Sequence, residues 1–482
     1  MPIRKSTIAA TVIFGLTVVL LTCAINPVTG KKELMLVTEQ DEIALGKQTD
    51  EEIAQTYGIY ESPDLTGYIN RLGQDMSKRT HRPTLEYHFK VLDTPVINAF
   101  AVPGGYVYVT RGILSYLNDE AELMGVVGHE LGHVNARHTA KQMSQLQLAE
   151  LGLGVGMILS ENFRKYAGLA EFGVSMLFLK FSRDNERQAD DLGVEYASKS
   201  GYDTNRMAAF FETLERLSPG ESESGLPDWF STHPNPVNRI AAVRNKTLEW
   251  RQKLNLAQYA VNRGEYLKTV NGMVYGDDPR QGYVEGNAFY HPVLKFTFNI
   301  PAGWEVNNTP SQVQIVSKDQ DAVMILSMED SPSAEQAADN FVQKTSASVQ
   351  SKQFLTVNGF QTEKIVTSMV SNEDTLQTMS YFIAKGGSVY AFHGIAGYEG
   401  FSGYSSTFSR TLGGFRNLAD PSRINVKARK LAVQSVPRTG SLRTVLKQFG
   451  VQDSELENLA VLNGMQLTEN VDGGSLLKIP TI

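Results

Sequence analysis

Cysteine is almost absent from this chain of 482 residues. Its single copy, Cys23, excludes an internal disulfide, although an oxidising compartment would have allowed one. No uncharged apolar run reaches the roughly twenty residues that cross a bilayer as a helix. The most apolar stretches past residue 30, "LGLGVGMIL" (151–159) and "VSMLFLKF" (174–181), are too short. No block of Lys and Arg is long enough to follow a phosphate backbone, and the formal net charge is −7, so nucleic acid is excluded as the expected partner. There is no internal repeat and no low-complexity tract. Histidine is scarce as well, with eight copies, yet three fall within thirteen residues, "VVGHELGHVNARH" (126–138).

What is present is ordinary for folded protein: 41% apolar and 20% charged residues, over about three times the length of a typical domain. Two to four domains are expected. Arg4 and Lys5 precede an uncharged stretch, Ser6 to Ala24, whose apolar core runs Ile8 to Leu21 and suits an export signal. It closes in "LLTCAIN", which resembles the lipobox of bacterial lipoproteins, with Thr22 in place of the usual small residue. That resemblance implies residues 1–22 as signal peptide, Cys23 as the lipidated N-terminus and a lipid anchor in the bacterial cell envelope. The body is then periplasmic, and Ala24 after the cysteine favours the outer membrane over the inner.

Three blocks follow by pattern. Residues 23–262 are mainly helical in period, with a β insertion near 86–110, and 263–285, rich in Gly, Asp and Pro, reads as a linker. Residues 286–418 alternate in period two around one helix begun at Ser333, an α+β domain. Residues 427–482 form a last small block.

The histidines lie on a predicted helix opened by Asp119 with Glu122 three residues later. His129 and His133, four apart, project from one side, and Glu130 flanks them. This is His-Glu-x-x-His, in which two neutral imidazoles hold Zn²⁺ and the glutamate serves as base. Chance gives this pattern about once in a hundred chains of this composition. Two surface histidines on a polar helix would not have such small, apolar neighbours. His138 points about 140° away from His133 and is not counted as a ligand. A catalytic zinc needs a third protein ligand. "ARHTAKQMSQ" offers none, so a separate helix must supply it, and "SRDNERQADDLGVEYA" (182–197) is the candidate. Glu186 and Asp190 share one of its faces. One could ligate while the other takes the free N–H of a ligand histidine. Elsewhere such a helix would read as a solvated, salt-bridged surface.

"HELGH", "NERQADDLG" and "STHPNPVNRI" (231–240) together resemble the zinc metallopeptidase family of the CAAX prenyl proteases, and more closely its periplasmic and mitochondrial quality-control relatives, over residues 30–245. The resemblance implies a gluzincin fold with one Zn²⁺ per chain held by His129, His133 and Glu186. It also implies Glu130 as the catalytic base and Asp190 behind a ligand histidine. It makes Asn98, Ala99, Phe100 and Ala101 an edge strand that pairs with substrate backbone. His233 and Arg239 are candidate donors to the oxyanion, and His233 is also a candidate latch on the metal. The alternative for the last pair is a turn at Pro234 and Pro236 with an arginine at a helix start. The last block resembles a LysM module, a βααβ fold that commonly binds peptidoglycan. The whole chain is then multidomain: a mainly α peptidase domain with a small β-sheet, an α+β domain and a LysM-like module. The expected function is zinc-dependent endopeptidase acting on unfolded or misassembled envelope proteins. The competing reading is an envelope chaperone or scaffold in which zinc is structural and proteolysis minor. An intact Glu130 favours the first, because a scaffold has no need of the base.

Overall fold

A computed structural model describes residues 23–150, 180–217, 229–234, 238–371 and 374–482. The expected signal peptide, residues 1–22, lies outside them. Among the described residues no helix is long and apolar enough to cross a membrane.

The chain opens with a hairpin, β1 (Cys23–Ile25) and β2 (Lys32–Leu34), then two helices, α1 (Glu39–Tyr57) and α2 (Pro63–Ser77). A three-stranded sheet follows, of β3 (His88–Leu92), β4 (Ala99–Val102) and β5 (Tyr106–Thr110), with β5 central. The expected reversal at Pro103-Gly104-Gly105 joins β4 to β5. Gly104 has a positive φ there, and a Cβ on it would meet the Glu42 carbonyl of α1 at 2.8 Å. After the short α3 (Arg111–Tyr116) comes the motif helix α4 (Glu120–Asn135), then α5 (His138–Glu150), α6 (Arg183–Lys199) and α7 (Asn205–Arg216).

Half of the expected capping box forms on α4. Asp119 Oδ1 accepts from the Glu122 N–H at 2.9 Å, but the Glu122 carboxylate reaches past Asp119 to the Asn118 N–H at 2.7 Å. The helix is buried on every side, so its small and apolar residues serve more than one face. Across it lies α6, at backbone contact. A Cβ on Gly128 would stand 2.9 Å from the Gly193 carbonyl, one on Gly132 2.9 Å from the Ala189 carbonyl, and one on Gly193 2.9 Å from the His129 N. These three glycines let two helices approach more closely than any side chain would permit.

The segment 263–285 is not a free linker. Its first part is α10 (Arg263–Val270), which follows α8 (Trp229–Thr232) and α9 (Arg239–Leu254). Tyr266, Leu267 and Val270 fall on one helical face and are buried in the main core, and Tyr266 Oη donates to the Leu114 carbonyl at 2.6 Å. Its last part is already β6 (Tyr283–Glu285) of the next domain.

That domain carries the expected helix, α11 (Ala334–Thr345), capped by Ser333. One sheet runs β6, β7 (Ala288–His291), β8 (Phe296–Asn299) and, at its far edge, Arg416–Asn417. A seven-stranded antiparallel sheet between Glu305 and Gly397 and a helix, Phe401–Leu412, pack with it around a shared core that includes Phe289, Phe298, Phe392 and Phe408. The last block has the order strand (Lys430–Ser435), helix (Leu442–Gln448), helix (Leu456–Leu462), strand (Leu476–Thr481), the two strands paired antiparallel. Its apolar residues, Leu442, Leu459 and Leu477 among them, belong to the same continuous core as α4 and α10.

Candidate metal centre

The α4–α6 contact sets Glu186 and Asp190 opposite the two motif histidines. His129 Nε2 lies 3.1 Å from His133 Nε2 and 3.6 Å from Glu186 Oε2, and His133 Nε2 lies 3.4 Å from Glu186 Oε1. His233, at the end of α8, joins them: its Nδ1 is 3.2 Å from both His129 Nε2 and Glu186 Oε1. One ligand atom from each of His129, His133, Glu186 and His233 lies within 4.8 Å of every other, and all four residues are buried.

Behind this quartet stand two different supports. Asp190 Oδ1 accepts from His129 Nδ1 at 2.9 Å and is gripped by Arg239, whose Nε and Nη2 donate at 2.9 and 2.8 Å. Burial is the largest influence on the Asp190 carboxyl and pushes it up, but the Arg239 charge and the hydrogen bonds from His129 and Arg239 together outweigh it, so the net shift is downward and Asp190 is ionised. His133 Nδ1 faces His138 Nδ1 at 3.0 Å, and His138 Nε2 donates to Gln188 Oε1 at 3.0 Å. With its proton on Nε2, the buried and neutral His138 can only accept at Nδ1, so His133 must donate from Nδ1.

Both supports leave the inward Nε2 of His129 and His133 as bare lone pairs. Burial lowers both pKa values, which keeps the rings neutral. Two lone pairs 3.1 Å apart, beside a carboxylate, repel unless a cation lies between them. Burial works against the Glu186 charge, but His233, whose Nδ1 faces Glu186 Oε1, holds its carboxyl well below the usual range. Among the described residues Glu130 Oε1, Glu186 Oε2 and His233 Nε2 are buried and meet no hydrogen-bond partner. Tetrahedral zinc with bonds of about 2.0 Å sets its nitrogens about 3.3 Å apart, close to the spacings found here. The donor set therefore fits one zinc ion.

Glu130, which points to the same side, lies 3.6 Å from His233 Nε2, and burial raises its pKa. Trp229 stacks on His233 at 4.3 Å between centroids, and its backbone N–H donates to the Ile97 carbonyl just before β4. The residues expected to form the substrate strand divide: Ala99, Phe100 and Ala101 are in β4, an edge of its sheet, and Asn98 precedes it. A cleft beside His133 is lined by Arg82, Ala101, Pro103, Arg137 and Ala140. Arg239 is engaged with Asp190 and lies 3.5 Å from Glu186, so two of its nitrogens already have carboxylate partners.

His138, Gln188 and Trp229 escaped the sequence reading. Helical geometry turned His138 away from the ligands, which is correct while the helix continues. The helix breaks at Arg137, whose φ is +57°, and this turns His138 back under His133. A third histidine just past a helix-ending pair was the available signal.

Residues 63–247 match peptidase family M48. The Beta-barrel assembly-enhancing protease of Escherichia coli (strain K12) is 31% identical over 219 residues, covering 44% of this chain and 44% of that protein. Metalloprotease YcaL of the same organism is 32% identical over 164 residues, 33% of this chain and 61% of YcaL. The mitochondrial metalloendopeptidase OMA1 of Arabidopsis thaliana is 30% identical over 160 residues, 33% of this chain and 31% of that protein. The chain thus spans less than half the length of the first of these relatives. The segment similar to peptidase family M48, residues 63–247, contains the helix pair and the short helix that together carry the quartet.

Proposed function

We propose that this protein is a zinc-dependent endopeptidase of the bacterial envelope that hydrolyses unfolded or misassembled proteins. The carrying observation is the buried quartet of lone pairs and carboxylate with Glu130 beside it. His129, His133 and Glu186 would hold the ion. A bound zinc supplies Lewis acidity that polarises a carbonyl and acidifies water. Glu130 takes the proton from the attacking water and returns it to the leaving amine, and its raised pKa suits a base that must also act as an acid. Substrate backbone adds to the edge of β4 that no strand occupies among the described residues, which recognises extended chain without regard to sequence. Asp190 and Arg239 position His129, and His233 is either a donor to the oxyanion or a removable fourth ligand. Envelope substrates are suggested by what the similar E. coli protease is named for. In the same reading Cys23 carries a lipid anchor, and residues 427–482 are a LysM-like module for peptidoglycan, supported by their strand–helix–helix–strand order.

Casein cleavage tests the reading. It should vanish on chelation and return with zinc. Glu130→Gln should lower turnover by about a thousandfold or more while still binding one zinc per chain. Full zinc binding with undiminished cleavage in Glu130→Gln would refute the assignment of the base. Absence of any cleavage by the wild type would favour the scaffold.

A further inference from the structure

The N-terminal hairpin has two unlike faces. Its register pairs Cys23 with Leu34, Ala24 with Glu33 and Ile25 with Lys32. Pleating therefore places Ala24 and Glu33 on one side and Ile25, Lys32 and Leu34 on the other. The inner side is tied down: Ala24 packs with Met35, Val37, Ala140 and Met143, and Glu33 pairs with Lys141 Nζ at 3.2 Å. Among the described residues nothing covers the outer side. Ile25 is 62% exposed and Leu34 40%, beside the exposed Lys31 and Lys32. The hairpin's one acid is thus turned inward and ion-paired, which leaves an outer face both apolar and cationic. The chain enters this face at Cys23 from the uncharged stretch that begins at Ser6.

We propose that this outer face rests on an anionic bilayer surface and holds the end of the motif helix, with the cleft beside His133, close to the lipid. Apolar side chains with flanking lysines suit the interface between acyl chains and acidic headgroups. The orientation follows from what the inner side grips. Asn26 Nδ2 donates to the Ala136 carbonyl at the end of α4, three residues past His133. The Leu36 N–H donates to Ser144 Oγ of α5 at 2.9 Å. Ala140 serves both structures, packed under the hairpin and lining the cleft beside His133. A hairpin held to the membrane therefore keeps the cleft within a helix diameter or so of it, about 10–12 Å. The inference rests on the reading of a membrane-attached peptidase and adds its substrate class: extended polypeptide lying at or leaving the bilayer surface.

The test uses the full chain carrying Glu130→Gln, so that no cleavage occurs, reconstituted in vesicles containing phosphatidylglycerol. An environment-sensitive fluorescent amino acid is placed at position 25 or 34, and for comparison at Val293 or Val370, which are 66% and 81% exposed. Lipids brominated near the headgroup should quench positions 25 and 34 about threefold or more over the comparison sites. Adding Lys31→Glu and Lys32→Glu should reduce that excess. Flotation of the same samples separates the failures. Vesicle-bound protein with equal, weak quenching at all four positions overturns the orientation and leaves attachment standing. Protein that does not float removes the attachment reading, and this proposal with it. A lipid-independent blue shift at 25 and 34 that grows with protein concentration would make the face an interface between copies, which also overturns it.

Discussion

Gly132→Ala isolates the helix crossing on which the metal centre depends. The added Cβ would lie 2.9 Å from the Ala189 carbonyl oxygen and 3.0 Å from the Ala189 Cα, both backbone atoms that no side-chain rotation can clear. To restore an ordinary contact of 3.4 Å, α4 and α6 must part by about 0.5 Å. Overpacking of this kind costs about 1–3 kcal/mol. Ala is also about 1 kcal/mol better than Gly inside a helix, which offsets part of that cost. A net loss of up to about 2 kcal/mol in stability is expected. The functional effect should be larger, because the same shift withdraws Glu186 and Asp190 together from the histidines. Loss of a ligand's support lowers metal affinity by about 10- to 100-fold. Chelator competition measures that affinity, and denaturant unfolding of the metal-free protein measures stability. Gly67→Ala is the control: it is also helical, nothing would meet its Cβ within 4 Å, and it should stabilise. If Gly132→Ala binds zinc as tightly as the wild type, the glycine contact does not set the site.

His138→Ala should lower zinc affinity about tenfold without removing a ligand, because His133 loses the acceptor that fixes its proton on Nδ1; unchanged affinity, read by the same competition, would show that tautomer control is unnecessary. His233→Ala should raise casein turnover, since Nδ1 sits with the ligand atoms where a fourth donor would close the site; a fall of about a hundredfold would instead make His233 an oxyanion donor. In the second domain, burial lowers the His393 pKa from 6.5 to about 4, so the folded state binds fewer protons than the unfolded one between those values. Stability contributed there is complete above pH 6.5 and is lost as pH falls towards 4, by about 3 kcal/mol in all. His393→Gln should flatten that slope in urea unfolding followed between pH 7 and 4, and an unaltered slope would assign acid lability to other groups.

The motif helix was legible because its chemistry and its period coincide. His129, Glu130 and His133 must be local to one another, and a four-residue spacing is local. Glu186 and Asp190 were legible only as a pair on one face. Sequence spacing could not say which of them ligates, because that depends on how α4 and α6 cross. The crossing is written in Gly128, Gly132 and Gly193, residues that carry no side chain to announce a partner. In the structure Glu186 faces both Nε2 atoms and Asp190 faces Nδ1, so the nearer and the farther carboxylate separate by geometry alone. The α+β block and its Ser333 cap could be read from alternation and a local cap, for the same reason.

Independence of the blocks was the reading that local pattern could not support. A surface that docks on another block looks, in sequence, like any other apolar stripe. "SLLKIP" near the C-terminus puts one lysine among apolar residues, and isolated lysines usually reach solvent. Here Lys478 is fully buried, and its Nζ donates to the Ser115 and Leu117 carbonyls at the end of α3 at 2.5 and 2.7 Å. Burial drives its pKa well down, partly against the pull of Glu122 and Asp119. Asn118, the next residue along, passes its carbonyl to Arg263 Nη1, and Arg263 Nη2 reaches back to the Leu476 carbonyl. The turn that leads into the Asp119 cap, and so into the helix of His129 and His133, is therefore closed by groups from both α10 and the last strand. Without Lys478 the two α3 carbonyls would be buried acceptors with no donor, each costing about 1–3 kcal/mol. A block that satisfies the backbone at the root of the helix of His129 and His133 is part of the body that carries the metal centre.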